Sequence, residues 1–193
     1  MSDWFDAAER GNLNKIKKML HNNNYLLHSR SHDNETAIIK ASENGHLNVV
    51  KYLLKKGANV NDMDETTVRQ SPLILAAFEG HENVVKTLLK RGANIHYRNS
   101  MGDNALITSI QEGKLNVTKI LLDNGANINE PNNDDETPLK LATKYSGKGD
   151  TKMRDLLLSR GANETTDGGK KTRKLRKKTS RRFSRHNKYK YNL

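Results

Sequence analysis

VVKYLLKKGANVN at residues 49–61 returns as VVKTLLKRGANIH at residues 84–96. Two weaker copies follow, TKILLDNGANINE at 118–130 and MRDLLLSRGANET at 153–165. Their glycines, Gly57, Gly92, Gly125 and Gly161, are separated by 35, 33 and 36 residues. A period of about 33 marks one supersecondary unit written repeatedly. A lone unit of this size orders thirty-odd residues around too few aliphatic side chains to fold. Stacked copies bury both faces of each unit, so repetition creates the core.

Upstream of each copy runs a fainter element at the same spacing: TAIIKASENGH from Thr36, SPLILAAFEGH from Ser71, NALITSIQEGK from Asn104 and TPLKLATKYSG from Thr137. Thr36, Ser71, Asn104 and Thr137 are N-cap residue types, whose side-chain oxygens accept from free N–H groups of the first turn. Pro72 and Pro138 follow at the first helical position, where a missing N–H is harmless. Gly45, Gly80 and Gly113 end this first helix. The second helix carries apolar residues three and four apart: Leu47, Val50, Leu53, Leu54; Val84, Val85, Leu88, Leu89; Leu115, Ile120, Leu121, Leu122. Gly57, Gly92, Gly125 and Gly161 close it in the left-handed conformation. Lys55, Lys56, Lys90, Arg91 and Arg160 place positive charge beside its last carbonyls, and Asp123 breaks that rule.

These residues resemble the ankyrin repeat, a turn and two antiparallel helices with a Thr-Pro-Leu-His start and a Gly-Ala-Asp end. The resemblance covers about residues 2–165. It implies an all-α solenoid of stacked helix-turn-helix units with hairpin-like loops: a capping unit at 2–30, repeats at about 31–63, 64–98, 99–131 and 132–167, and a separate segment, 168–193. The capping unit, WFDAAERGNLNKIKKML, keeps Ala7, Gly11 and Leu20 but has no glycine stop. Where the family has histidine after Thr-Pro-Leu, the chain has Ile39, Ile74, Ile107 and Lys140. In the family that histidine bonds neighbouring loops. Two units are longer than 33 residues, with the extra residues falling in DMDETTVRQS at 62–71 and SGK at 146–148.

The resemblance implies binding of another protein through a concave face made of hairpin tips and first-helix ends. The tip positions are Asp33, Glu35, Val68, Gln70, Met101, Asp103, Asp134 and Glu136. The helix positions are Glu43, Asn44, Phe78, Glu79, Gln111, Glu112, Lys144 and Tyr145. Acids dominate, around an apolar spot at Val68, Phe78 and Met101 with Tyr145 at the far end. Aromatic anchors inside a charged rim suit a protein partner. Asn-rich stretches such as HNNN at 21–24 and EPNNDD at 130–135 are similar in style to ankyrin proteins of large DNA viruses, which implies a host-directed interaction.

The net charge of +12 is unevenly spread. Residues 168–193, GGKKTRKLRKKTSRRFSRHNKYKYNL, hold twelve Lys or Arg and no acid, leaving 22 basic and 22 acidic residues in the first 167. With so little aliphatic content and such self-repulsion, this basic tail is expected to be disordered in isolation. Lys170, Lys171, Arg173, Lys174, Arg176, Lys177, Lys178, Arg181, Arg182 and Arg185 suit phosphates of nucleic acid or a nuclear import receptor, with Phe183, Tyr189 and Tyr191 as base-stacking groups. An anionic membrane surface is a third target, and the acidic face of the repeats is also within the tail's reach. The runner-up function is therefore a nucleic-acid-associated protein whose tail holds phosphates and whose repeats recruit a second protein.

No enzyme, cofactor or metal is expected. The chain has no cysteine, which removes thiol catalysis and cysteine-ligated metals. GGKKT and GKGDT complete no phosphate-loop spacing. His46 and His81 open equivalent second helices, and packed helices about 8–10 Å apart hold them too far apart to share a metal. Capping and packing are their expected roles. The start has no apolar signal segment and LILAAF at 73–78 is far short of a membrane span. An intracellular monomer, cytoplasmic or nuclear, is the expectation.

Overall fold

The computed structural model describes residues 2–145 and 151–163. The SGK insertion and the basic tail lie outside the described residues. Within those residues the chain forms ten α-helices and no strand. In order they are α1 (Ser2–Glu9), α2 (Leu13–Asn22), α3 (Ala37–Glu43), α4 (Leu47–Lys55), α5 (Pro72–Glu79), α6 (Glu82–Lys90), α7 (Ala105–Gln111), α8 (Leu115–Asp123), α9 (Pro138–Tyr145) and α10 (Lys152–Ser159).

Each odd helix pairs with the even helix that follows it. The odd helices also pack on one another in sequence from α1 to α9, and the even helices do the same from α2 to α10, giving two layers. The layers differ in composition because they differ in burial. The inner first helices α3, α5 and α7 are enclosed on nearly all sides, so every residue from Ala37 to Ser42, from Pro72 to Ala77 and from Ala105 to Ile110 is buried. Second helices bury one stripe, Val49, Val50 and Leu53 in α4 and Val84, Val85 and Leu88 in α6. These stripes join one continuous core from Trp4 to Ala162. Neighbouring units thus complete each other's interior.

The helix ends follow the sequence closely. Ser71 Oγ accepts from the Ile74 N–H at 3.3 Å, Asn104 Oδ1 from Ile107 at 3.0 Å and Thr137 Oγ1 from Lys140 at 3.3 Å. Thr36 departs from the expectation: its hydroxyl is buried and makes no cap. Gly57, Gly92, Gly125 and Gly161 close the second helices at φ 97°, 84°, 89° and 86°. The capping unit, lacking that glycine, leaves α2 through an extended Asn23 whose side chain caps a 3-10 turn over Asn24–His28. Asp123, the exception among helix-end cations, accepts from Arg160 Nη1 at 2.6 Å in the next unit. The apolar residues Ile39, Ile74 and Ile107 are buried at 0, 1 and 0 % exposure, so three of the four positions where the family has histidine contribute to the core.

Candidate functional site

One side of the stack is formed by four fingers, the loops that lead into α3, α5, α7 and α9. Each closes on itself in the same way. The N–H of Ser31, Asp64, Asn99 and Asn132 donates to the carbonyl of Glu35, Gln70, Asp103 and Glu136, at 2.9, 3.0, 3.0 and 3.1 Å. The side-chain oxygens of Ser31, Asp64, Asn99 and Asn132 accept N–H bonds back from Glu35, Gln70, Asp103 and Glu136. These closing residues were not singled out in the sequence, although three of them stand five positions before the helix cap. Asp64 stands seven before because its finger is the lengthened one. A left-handed residue makes each tip turn: Asn34, Arg69 and Asp135 at φ 58°, 57° and 56°, and Gly102 at 78°.

Fingers are bridged without the family histidine. Ser100 donates to the Val68 carbonyl at 2.9 Å, Asn133 to that of Met101 at 3.1 Å, and Tyr97 Oη to that of Arg69 at 2.7 Å. Arg30 spans to the Met63 carbonyl at 2.8 Å and Asp62 at 2.9 Å, while Arg98 reaches the Pro131 carbonyl at 2.9 Å. Below the fingers, side-chain amides link the Gly-Ala-Asn loops: Asn61 Oδ1 accepts from the Asn94 N–H at 2.7 Å, and Asn129 Oδ1 from Asn163 at 2.8 Å. Part of the asparagine richness is therefore architectural.

The expected site residues fall into three groups. Glu35, Gln70 and Asp103 are buried at 7, 8 and 5 % exposure and serve the fingers internally. Lys40 Nζ donates to Glu35 at 2.6 Å and lies 3.8 Å from Glu9. Burial pulls the Lys40 ammonium down, but the hydrogen bond and charge of Glu35, with Glu9 and Glu43 beyond, hold it above its usual value. Burial raises the Asp103 carboxyl against hydrogen bonds from Asn132 and Gln111. Glu136 accepts from Lys144 at 2.8 Å.

A second group faces outward at the tips: Asp33 and Asp134 are exposed, while Val68 and Met101 are half-buried. The third lies at the C-terminal ends of the first helices. Glu43, Asn44, Phe78, Glu79 and Gln111 are half-buried, whereas Glu112, Lys144 and Tyr145 are exposed. Loss of hydration raises the Glu112 carboxyl, Lys114 opposing and Glu79 adding to it. Glu9 belongs to this row and was missed; it stands two residues before Gly11, as Glu43 stands two before Gly45. The Lys144 ammonium sits 5.4 Å from the centre of the Tyr145 ring.

A stack of paired helices that holds out four closed fingers, with acids at the finger tips and acids and aromatics at the first-helix ends, defines a recognition scaffold. The chain belongs to the ankyrin repeat family: the model for ankyrin repeats (3 copies) matches residues 4–99 and 92–167. It is accordingly a protein–protein interaction scaffold. No curated protein matches the chain. Among the described residues no helix is long and apolar enough to cross a membrane.

Proposed function

We propose that the finger tips and first-helix ends bind a basic segment of another protein, with the tail at 168–193 directing the complex to the nucleus or to nucleic acid. The observation that carries this reading is the placement of Glu43, Glu79 and Glu112 at first-helix C-termini. A carboxylate there is opposed by the helix dipole. Glu43 also supports the Lys40 ammonium, but the dipole gives no reason for Glu79 or Glu112, and acids at this place in three consecutive units suit a cationic ligand. Asp33 and Asp134 extend the negative surface along the tips. Phe78 and Tyr145 supply aromatic area for anchoring.

A display library of random peptides tests it. Lys/Arg-rich sequences are expected to be enriched by the native chain and lost from Glu79→Lys/Glu112→Lys. Enrichment of acidic or purely apolar peptides, or retention of basic ones by the variant, overturns the reading. The tail's role is read separately, by following nuclear import after Lys174, Arg176, Lys177 and Lys178 are replaced by Gln.

A further inference from the structure

The neutral repeat body conceals a second charged surface, on the layer opposite the acids. Lys17, Lys51, Lys86 and Lys119 occupy the same position in α2, α4, α6 and α8, and all four are exposed. Because these helices pack side by side in order, the four lysines form one row. Helix axes about 8–10 Å apart give the row a length of about 25–30 Å. None of the four makes an ion pair among the described residues. Lys55 and Lys90 follow four residues after Lys51 and Lys86, on the same helix face, and Lys56 and Arg91 lie just beyond; all are exposed.

The acids near the row are few and engaged. Asp123 is held by Arg160 at 2.6 Å, and Glu82 accepts from Asn116 at 2.8 Å. The row stops at α10, where Asp155 takes the lysine position and accepts from Thr151 at 2.6 Å. Helix-dipole complementarity explains Lys55, Lys56, Lys90 and Arg91. It does not explain Lys17, Lys51, Lys86 or Lys119, which stand at least a turn before their helix ends.

We infer that the outer face of α2, α4, α6 and α8 is a docking surface for the phosphate backbone of duplex nucleic acid. One strand of a duplex presents a phosphate every 3.4 Å or so, about eight along the row, and ammonium groups pair with phosphates as point charges without reading sequence. An anionic membrane fits less well. A helix lying on lipid buries an apolar face there, and these helices spend theirs on the core, as Val49, Val50 and Leu53 show. Among the described residues the exposed large apolar side chains are Tyr25 and Tyr145, and neither is on any of the four. This surface is independent of the tail and of the acidic face, so its failure leaves the proposed function standing.

The test compares full-length proteins binding a 24-base-pair duplex of random sequence across a salt series. Lys51→Glu/Lys86→Glu/Lys119→Glu is expected to bind at least tenfold more weakly at low salt. The slope of log K against log salt should fall by roughly 0.9 for each phosphate that is no longer neutralised. A control with the same net charge, Arg10→Glu/Arg69→Glu/Lys140→Glu, changes exposed cations off the row and is expected to retain most of the affinity and slope. Circular dichroism confirms that both variants remain helical. Native affinity and slope in the row variant overturn the inference, as does an equal loss in the control. A row-dependent preference for phosphatidylserine vesicles or polyglutamate over the duplex overturns it too.

Discussion

His81 stands on Gly45. Its Nε2–H donates to the carbonyl of Glu43 at 2.9 Å, and its ring comes within 2.6 Å of where a Cβ on Gly45 would lie. The same arrangement joins His46 to Glu9 and Gly11 one unit earlier. The two histidines couple their own units to the ones before them, each satisfying a carbonyl at a first-helix C-terminus that the helix itself leaves open.

Gly45→Ala therefore meets two penalties. At φ 74° an L-residue costs about 1–2 kcal/mol, and displacing the ring forfeits a hydrogen bond worth about 1 kcal/mol. Urea unfolding should show a loss of about 2–3 kcal/mol. The double variant Gly45→Ala/His81→Ala should lose less than the two singles together, because removing the ring removes the clash. Strict additivity would show that the ring yields freely.

Lys40 and Glu35 are a buried pair with side chains 7 and 9 % exposed. Lys40→Met strands the carboxylate of Glu35, and breaking such a pair costs about 3–5 kcal/mol. Lys40→Met/Glu35→Gln leaves no buried charge there and should return to within about 1 kcal/mol of the native protein. The sign with pH follows from the raised Lys40 ammonium. Its stabilising contribution is complete below 10.5 and lost as pH climbs through the higher folded value. Native protein should weaken in that alkaline range more than the double variant. Parallel pH curves would contradict the assignment.

The repeat, the helix order and the helix stops were legible in the sequence because each is a local signal: a cap, an apolar stripe, a glycine. The left-handed glycines and three of four caps are where their residue types put them. The site was legible only as positions. Glu35 and Asp103 carry the same sequence label as Asp33 and Asp134, yet only three-dimensional packing turns the first two inward to serve the fingers. Thr118 is likewise polar in sequence but buried in α8, its hydroxyl 2.8 Å from that of Ser109 in α7. The lysine row was visible as single cations, and its alignment required knowing that α2, α4, α6 and α8 share one layer.

Asp103 gives a second pH signature, of opposite sense. Its carboxyl is raised above 3.8 by burial, so the folded state favours the protonated form. That contribution is complete below 3.8 and lost as pH rises through the folded value. Asp103→Asn keeps an oxygen to accept from Asn132 Nδ2, which bonds Asp103 at 3.0 Å, and carries no charge to desolvate. The variant should be more stable than native protein at pH 7, with the difference vanishing near pH 3. A variant less stable at pH 7 would mean that the ionised carboxylate is the form the finger prefers.

The lengthened finger stores strain at Arg69. Its φ of 57° matches that of Asn34 and Asp135 in the equivalent turns, but an arginine gains no local hydrogen bond to favour the left-handed region as Asn and Asp do. The finger tolerates it because the turn is tied from both sides: Gln70 donates to Asp64 Oδ1 at 3.0 Å, and Tyr97 Oη donates to the Arg69 carbonyl at 2.7 Å. Arg69→Asn keeps both ties and should stabilise the protein by about 0.5–1 kcal/mol, part of the left-handed penalty. Tyr97→Phe removes one tie and should cost about 1 kcal/mol, less in the Asn background, where the turn no longer resists its own conformation. An equal or larger loss from Tyr97→Phe in the Asn background would show that the hydroxyl does not act on the strained turn.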